Sequence, residues 1–385
     1  MRAFGTVRSV PISRDIPIRM DHFDHFKRIG LLRGRMAEAG VQALLVTHPA
    51  DIRYVCGFTG SSAGLAVTAH AATLFTDGRY KAQAAEQVQA AAVEIVASNP
   101  AVSAAQLLAA QPGIESVCFD PTHTTVAELA RWKEALPAGL RRKLLKPLAA
   151  PLVEALRWLK DEDELALMAK AAELGCVLFD HLLGFIRPGL TESAVAAELE
   201  YRARLKGAEG MSFESIVASG PRSALPHGRA TLSKLPKRGL LTLDFGVILH
   251  GYCSDMTRTV CLGKPTKREF AVYEAVLEAQ EAGVAAVASG ATCGEVDEAA
   301  RGVLRELGMA DAFSHSTGHG VGLEIHESPR VGTGQTTKLA PGMVITIEPG
   351  AYFPGEFGVR IEDMVAVTRT GGRVLTASPK ALIQL

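Results

Sequence analysis

Hydrophobic and polar residues follow one arrangement in the first 150 residues of this chain and another in the rest. The first part alternates short apolar runs, such as VQALLVT (41–47) and VEIVA (93–97), with amphipathic stretches of helical period. The further strands that this pattern predicts lie near 65–68, 73–75 and 115–119, and the helices at 23–39, from Tyr80, after 97 and at 125–136. Strands that alternate with helices are typical of a layered α/β domain.

The second part begins with a long helical pattern over 160–183, whose first turn carries acids as the helix dipole prefers. Thr191 has the position of the N-cap of a further helix that continues to about Arg204. After Gly210 strands dominate, at 212–219, 240–248, 252–262, 343–348 and 358–367, with helices at 267–288 and 293–307. The segment KPLAAP (146–151) is typical of a linker, so we expect a two-domain α/β protein divided into 1–150 and 151–385.

The charge balance limits the possible partners. The 385 residues contain 41 Lys and Arg against 41 Asp and Glu, and binding to nucleic acid or to a membrane surface usually needs a basic excess. No run of 18 apolar residues occurs, and the first 28 residues lack the apolar core of a signal peptide, so we interpret them as mature sequence. The six cysteines are scattered, which favours free thiols and a cytoplasmic location.

Two acids lie on one predicted hairpin. In LTLDFGV, Leu241 and Leu243 alternate with Asp244, so a strand would place Asp244 on the face opposite the leucines. A tight turn near 249–251 would bring Asp255 almost directly opposite Asp244, with Cβ atoms about 4.5–5.5 Å apart. Two carboxylates at that distance repel each other unless one is protonated or a cation lies between them. Two solvated acids on a hairpin are the alternative.

A second predicted hairpin, 343–364, carries another pair of acids. Glu348 ends the run VITIE, and Arg360 and Glu362 share one face of the return strand, so Glu348 and Glu362 are expected partners. An acid in such an apolar run is costly to bury without compensation. An edge strand with exposed glutamates is the alternative.

Histidines provide the remaining candidates. His319 and His326 lie in STGHGVGLEIHESPR (316–330), among glycines that allow the backbone to approach a neighbour closely. His227, in SALPHGR, is a weaker candidate, because one histidine in a loop carries little information.

The four acids and His319 together form an oxygen-rich ligand set with one imidazole. Two divalent cations would neutralise four carboxylates. An oxygen-rich ligand set of this kind suits Mn²⁺ or a similar first-row ion more than it resembles a thiolate-type zinc site, with cobalt or zinc as alternatives. Two such ions would lower the pKa of a water molecule and polarise a substrate carbonyl, which is the chemistry of hydrolysis.

At this point the motifs resemble a known family. The ordered set D-x10-D, G-H-G-x-G-x-x-x-H-E, I-E-P-G and R-I-E-D resembles the catalytic domain of the pita-bread metallopeptidases, most of all the Xaa-Pro aminopeptidase and Xaa-Pro dipeptidase (prolidase) branch. THPADIRYVCGFTGSSA (47–63) and TDGRY (76–80) resemble its creatinase-type N-terminal domain. The resemblance covers essentially the whole chain and implies a creatinase-like α/β domain over 1–150 and a pita-bread α+β catalytic domain over 151–385. Methionine aminopeptidases usually lack the N-terminal domain.

The resemblance also implies roles for individual residues. The five metal ligands would be Asp244, Asp255, His319, Glu348 and Glu362. Asp255 and Glu362 would bridge two ions, and Glu348 would also act as general base. His227 and His326 would hold the substrate and stabilise charge on the tetrahedral intermediate. Arg360 would orient the site or anchor a carboxylate.

Two further positions are less defined. Arg330 would either contact the carboxyl terminus of the substrate or be an ordinary surface arginine. Phe213 stands where some relatives carry a tyrosine, so only an apolar wall is expected there.

The resemblance implies removal of the residue before proline from short proline-containing peptides. An Xaa-Pro aminopeptidase is the main hypothesis, and an Xaa-Pro dipeptidase that accepts only dipeptides is the alternative. A creatinase-like hydrolase without metals and a non-catalytic peptide-binding module are less favoured, because such relatives lose ligands that all stand here. The family's N-terminal domain packs across a homodimer, so a homodimer or higher oligomer is expected.

Overall fold

The computed structural model of the protein describes residues 23–385. Most of the segment interpreted above as mature N-terminal sequence therefore lies outside the described residues. The first region contains α1 (His25–Glu38), β1 (Ala43–Val46), α2 (Pro49–Cys56), β2 (Ala63–Thr68), β3 (Ala72–Asp77), α3 (Lys81–Gln87), β4 (Ala92–Val96), α4 (Pro100–Ala110), β5 (Val117–Phe119), α5 (Val126–Ala135) and β6 (Leu145–Pro147). The strands form one sheet in the order β4-β3-β2-β1-β5-β6, in which β2 pairs antiparallel with β1 and β3 and the other pairs are parallel.

This sheet is covered on both faces, as the alternation of side chains along β1 shows. Leu44 and Val46 pack with residues of α1 and α2, whereas Ala43 and Leu45 pack with residues of α4 and α5. Both sets are buried, which is why β1 is an unbroken apolar run. The predicted α/β layering of this region is confirmed.

Two details of the first region differ from the prediction. The first two residues of the predicted linker, Lys146 and Pro147, lie in β6, which pairs parallel with β5 at the edge of the sheet, where a proline is tolerated. Helix α2 was not predicted, although Pro49 stands at its start and Gly57 ends it with a φ of 84°.

The second region begins with the short helix α6 (Val153–Arg157), which the sequence did not predict, and is built from strands flanked by long helices. Its helices are α7 (Glu162–Phe185), α8 (Glu192–Leu205), α9 (Lys267–Ala286) and α10 (Cys293–Glu306). Its strands are β7 (Gly210–Met211), β8 (Ile216–Ser219), β9 (Gly239–Phe245), β10 (Val247–Leu249), β11 (Tyr252–Cys253), β12 (Met256–Leu262), β13 (Gly318–Gly320), β14 (Glu327–Val331), β15 (Val344–Ile347), β16 (Gly350–Phe353), β17 (Phe357–Arg360), β18 (Asp363–Val367) and β19 (Gly372–Val374). They form sheets in the orders β11-β10-β7, β12-β9-β8, β14-β13-β15-β18-β19 and β16-β17.

The long helices agree with the predicted ones to within a few residues. Asp161 and Glu164 form a capping box at the start of α7, and the hydroxyl of Thr191 caps α8 as predicted. Leu241 and Leu243 of β9 pack with residues of α7 and α8, while β17 packs with residues of α9. The strands that carry the candidate acids therefore lie between two helical layers.

Two general expectations can be compared with the described part of the chain. None of its helices has the length and apolar character that crossing a membrane requires. All six cysteines are free thiols.

Candidate active site

The hairpin that carries Asp244 and Asp255 has a different register from the predicted one. Its turn is centred on His250 and Gly251, which have φ values of 47° and 79°, and Leu249 pairs with Tyr252. Positive φ at both central residues is typical of a tight two-residue turn. Because this turn lies one residue later than expected, Asp244 pairs with Thr257 and not with Asp255.

Asp255 falls in the interruption between β11 and β12, at the level of Gly246 on the opposite strand. Only glycine fits at position 246, since a Cβ there would lie 1.7 Å from the carbonyl oxygen of Ser254. The two aspartates are therefore diagonal neighbours on the hairpin, and both line one cavity.

The second hairpin has the predicted register. Ile347 pairs with Asp363 in the ladder of β15 and β18, and Gly350 pairs with Arg360 in the ladder of β16 and β17. The same register continued across the gap places Glu348 opposite Glu362. Both side chains line the cavity that contains Asp244 and Asp255. We call Asp244, Asp255, Glu348 and Glu362 the acid cluster.

His319 lies in β13, between β14 and β15. Its flanking glycines allow neighbouring strands to approach: a Cβ at Gly318 would lie 1.9 Å from the carbonyl oxygen of Thr346. The imidazole donates from Nδ1 to the carbonyl oxygen of Gly320 at 2.9 Å. Its Nε2 therefore carries the free lone pair, and this atom lies 3.6 Å from Asp255 Oδ2 and 3.5 Å from Glu348 Oε1. A metal-binding histidine usually has this arrangement.

Several carboxylate oxygens of the acid cluster have no hydrogen-bond partner among residues 23–385. They are Asp244 Oδ1, Asp255 Oδ1 and Glu362 Oε1, and all three are buried. A buried oxygen in this state is costly unless a ligand satisfies it. Burial, and then the charges of the neighbouring carboxylates, raises the pKa of Asp255 and of Glu362 above the ordinary values.

The ligand atoms of Asp255, His319 and Glu362 all lie within 4.8 Å of one another. Carboxylates that are close together, buried and unpartnered, beside an imidazole with a free lone pair, fit divalent cations. On these observations the residues present can hold the ions that the resemblance implies.

Arg360 is the positive charge beside the acid cluster. It is buried and donates to Asp244 Oδ2, to the hydroxyl of Tyr352 at 2.8 Å and to the carbonyl oxygen of Pro226 at 3.0 Å. Its Nε also donates to the hydroxyl of Thr257 at 3.1 Å, which in turn donates to Glu362 at 2.7 Å. Arg360 therefore connects the two hairpins.

His227 and His326 are exposed at the surface of the same cavity. The His326 ring packs edge-on against His319, with centroids 4.5 Å apart. Burial, and then the nearby His227, lowers the pKa of His326 below the ordinary value. The His326 ring can therefore act as a neutral hydrogen-bonding group at neutral pH.

Phe213 and Arg330 also line the cavity, which has a volume of about 740 Å³. Phe213 is half-buried. Arg330 is exposed and donates from Nε to the hydroxyl of Ser316 at 2.7 Å. The structure thus brings every predicted site residue to one cavity.

Sequence reasoning missed several residues at this site. Thr257 could have been found, because it lies two residues after Asp255 in a strand and so shares its face. Tyr352 and its partner His315, whose Nε2 accepts from the tyrosine hydroxyl at 2.8 Å, give no local signal. The first region contributes Thr122 and His123 to the cavity wall, a contact that no motif indicated.

Comparisons with known proteins agree over most of the chain. Residues 166–369 match metallopeptidase family M24, and residues 28–158 match the creatinase/prolidase N-terminal domain. An Xaa-Pro dipeptidase of Pyrococcus horikoshii is 34% identical over 356 residues, which cover 90% of this chain and 96% of that protein.

Solved structures give the same result. An Xaa-Pro dipeptidase from Bacillus anthracis is similar with a TM-score of 0.89 and 40% identity, covering 94% of this chain and 100% of that one. An X-Pro aminopeptidase from Thermotoga maritima is similar with a TM-score of 0.84 and 32% identity, covering 93% of this chain and 99% of that one.

Proposed function

The chain belongs to metallopeptidase family M24 and is a metallo-exopeptidase with a creatinase-type N-terminal domain and a pita-bread catalytic domain, and from this premise we propose that it is an Xaa-Pro dipeptidase. The family uses divalent metal. The sequence alone favoured an aminopeptidase and kept the dipeptidase as the alternative. Relatives named as dipeptidases support the alternative better.

The observation that carries this proposal is the set of buried, unpartnered carboxylate oxygens around His319. We propose that two ions are bound there, with manganese as the favoured metal. The proposed ligands are Asp244, Asp255, His319, Glu348 and Glu362. When bound, such ions supply a water of lowered pKa and polarise the scissile carbonyl.

The protein's own groups have distinct proposed tasks. Glu348 would accept the proton, and the hydroxyl of Thr346 lies 3.4 Å from its Oε1. His319 stays neutral, because burial lowers its pKa to about 4. Arg360 holds Asp244 in place from the opposite hairpin. His227 and His326 would donate hydrogen bonds to the substrate and to the developing oxyanion.

The cavity suits a short peptide. Its 740 Å³ lies within the range of about 300–1,000 Å³ that is usual for small-molecule sites. In this proposal Arg330 binds the carboxylate of the proline residue, and Phe213 provides an apolar wall beside the ring. Thr122 and His123 contribute to the cavity wall from the N-terminal domain, whereas the acid cluster lies in the catalytic domain.

The test is to compare initial rates on Ala-Pro, Ala-Pro-Ala and a longer Xaa-Pro peptide, with Mn²⁺ and after treatment with a chelator. We expect Ala-Pro to be hydrolysed at least about tenfold faster than the longer peptides, because Arg330 would bind the free carboxylate of proline, which the longer peptides lack at that position. Activity should disappear with the chelator. Equal rates on all three peptides would favour the aminopeptidase, and no chelator-sensitive hydrolysis would refute both.

Three further expectations remain proposals: a domain boundary at residue 150, a homodimer or higher oligomer, and a cytoplasmic location. Light scattering coupled to size-exclusion chromatography, with an activity assay on each peak, tests the oligomer. A fully active monomer would refute it.

A further inference from the structure

A second group of charged side chains, four of them buried, lies where the two domains meet. Three acids and three basic side chains form it, and we call the set the junction cluster: Asp51, Glu324, Glu327, Arg157, Lys160 and His48. Asp51 and His48 come from helix α2 and the residue before it, and Arg157 and Lys160 from the end of α6 and the segment after it. Glu324 and Glu327 come from the loop that ends in His326 and from the first residue of β14.

Glu327 is the centre of the junction cluster. Its side chain is 1% exposed and binds Arg157 at 2.5 Å and Lys160 at 3.0 Å. Burial alone would raise the pKa of Glu327, but these two cations hold it below the ordinary value. The carboxylate is therefore ionised and fixed.

The loop before Glu327 folds around this carboxylate. The backbone N–H of Glu324 donates to Glu327 Oε1 at 3.2 Å. Gly322 packs directly on the carboxylate, since a Cβ there would lie 2.6 Å from Oε2. His326 is the residue before Glu327, so the position of its ring against His319 depends on how this loop is held.

Arg157 connects the loop to the N-terminal domain of the same chain. Its side chain is 2% exposed, and its other contacts are Asp51 at 2.8 Å and Glu324 at 2.7 Å. Asp51 belongs to helix α2, and its charged partners are Arg157 at 2.8 Å and His48 at 3.7 Å.

We propose that Glu327 is a positioning residue, which holds the 322–326 loop so that the His326 ring stays against His319. Arg157 links this loop to helix α2 through Asp51, so that the N-terminal domain helps to place a substrate-binding histidine. The inference rests on the proposed function, in which His326 contacts the substrate.

The test compares Glu327→Gln with Glu164→Gln. Glu164 is a matched control, because it is 3% exposed, pairs across the two domains with Arg28 at 3.3 Å and does not line the cavity. Both variants should lose thermal stability. Only Glu327→Gln should lower kcat on Ala-Pro, by about tenfold or more at unchanged metal content, with a smaller change in KM.

A double-mutant cycle identifies the route of the effect. In a His326→Ala background, Glu327→Gln should cause no further loss of kcat, because the group it positions is gone. Asp51→Asn should lower kcat by about threefold. This variant also decides the question if Glu327→Gln fails to fold, since an unchanged kcat in Asp51→Asn would overturn the link to the N-terminal domain.

Hydrogen exchange of the backbone separates this inference from the proposed function. Amides of 322–326 should exchange faster in Glu327→Gln than in wild type, and Glu164→Gln should not change them. If the wild-type protein fails to hydrolyse Ala-Pro, the proposed function is refuted. The exchange result still decides whether Glu327 holds the loop. Equal kcat losses in both glutamate variants, or additive losses with His326→Ala, would overturn the inference.

Discussion

The acid cluster and the junction cluster both bury carboxylates, but they compensate them in opposite ways. In the acid cluster, four carboxylates face one guanidinium, and three of their oxygens have no partner among the described residues. In the junction cluster, three carboxylates face Arg157, Lys160 and His48, and none of their oxygens is left buried without a partner in residues 23–385.

The pKa directions express the same difference. Burial raises the pKa of Asp255 and Glu362, and the neighbouring carboxylates raise it further. Burial also acts on Glu324 and Glu327, but the cations around them reverse its effect and lower both pKa values. A buried acidic group that the protein itself neutralises holds structure, and one that it leaves unneutralised is prepared for a cation.

The largest predicted effect concerns Asp255→Asn. The substitution should lower kcat/KM on Ala-Pro by at least about a thousandfold, because it removes a proposed metal ligand worth several kcal/mol in the transition state. In chelator-treated protein the same substitution should not lower the melting temperature, since it removes a repelling charge. The measurements are steady-state kinetics and thermal unfolding of the metal-free protein.

Asp51→Asn is the control for Asp255→Asn, since it neutralises a buried aspartate of the junction cluster. It should destabilise the metal-free protein, because it leaves Arg157 with one partner fewer. If both variants lowered the melting temperature equally, the contrast between the two clusters would be wrong.

The second prediction concerns the stability of the junction cluster. Arg157→Met leaves buried acids without their main partner and should lower the free energy of unfolding by about 3–5 kcal/mol. Chemical denaturation of the metal-free protein measures this. Arg79→Gln, which breaks the exposed pair of Arg79 with Asp77, should leave the free energy almost unchanged. A loss for Arg157→Met no larger than that of the control would contradict the assignment.

The third prediction concerns the acid cluster with metal. Adding Mn²⁺ to the chelator-treated protein at about 100 times its dissociation constant should stabilise the fold by about 2.7 kcal/mol. This corresponds to about 5–10 °C in melting temperature for a domain of this size. Asp255→Asn should lose most of the increase, whereas Glu164→Gln should keep it. An equal increase in Asp255→Asn would mean that the ion binds elsewhere.

The sequence predicted the acid cluster better than the junction cluster for a physical reason. Period-2 alternation along strands places Glu348 opposite Glu362, and apolar neighbours mark Asp244 as an unusual acid. The predicted turn of the first hairpin was one residue too early, so the predicted partner of Asp244 was wrong by two residues. Nothing in LHGY showed that the turn centres on His250 and Gly251.

The junction cluster has no comparable signal. Asp51, Arg157 and Glu327 lie more than a hundred residues apart in sequence and meet only because the two domains pack together. Each stands in a stretch where a charged residue is ordinary, so its burial cannot be deduced locally. Helix α2, which carries Asp51, was also missed, although its proline start and glycine end could have been recognised.

The smallest predicted effect is the pH dependence of the junction cluster, through His48. Burial alone would lower the pKa of His48, but Asp51 at 3.7 Å and Glu324 at 3.1 Å raise it to about 9 from an ordinary value of 6.5. Because the folded pKa is the higher one, the stabilisation is fully present below pH 6.5 and is lost as the pH rises through 9.

The substitution that isolates this effect is His48→Gln. It should lower the melting temperature of the metal-free protein by about 2–4 °C at pH 6 and by much less at pH 10. His70→Gln changes an exposed histidine of the same domain outside the cluster and is the control. A deficit in His48→Gln that persisted unchanged at pH 10 would mean that His48 contributes by packing against His123, whose ring stacks on it at 3.6 Å, and not by charge. The junction cluster would then hold three acids against only two cations, which is the imbalance that otherwise distinguishes the acid cluster.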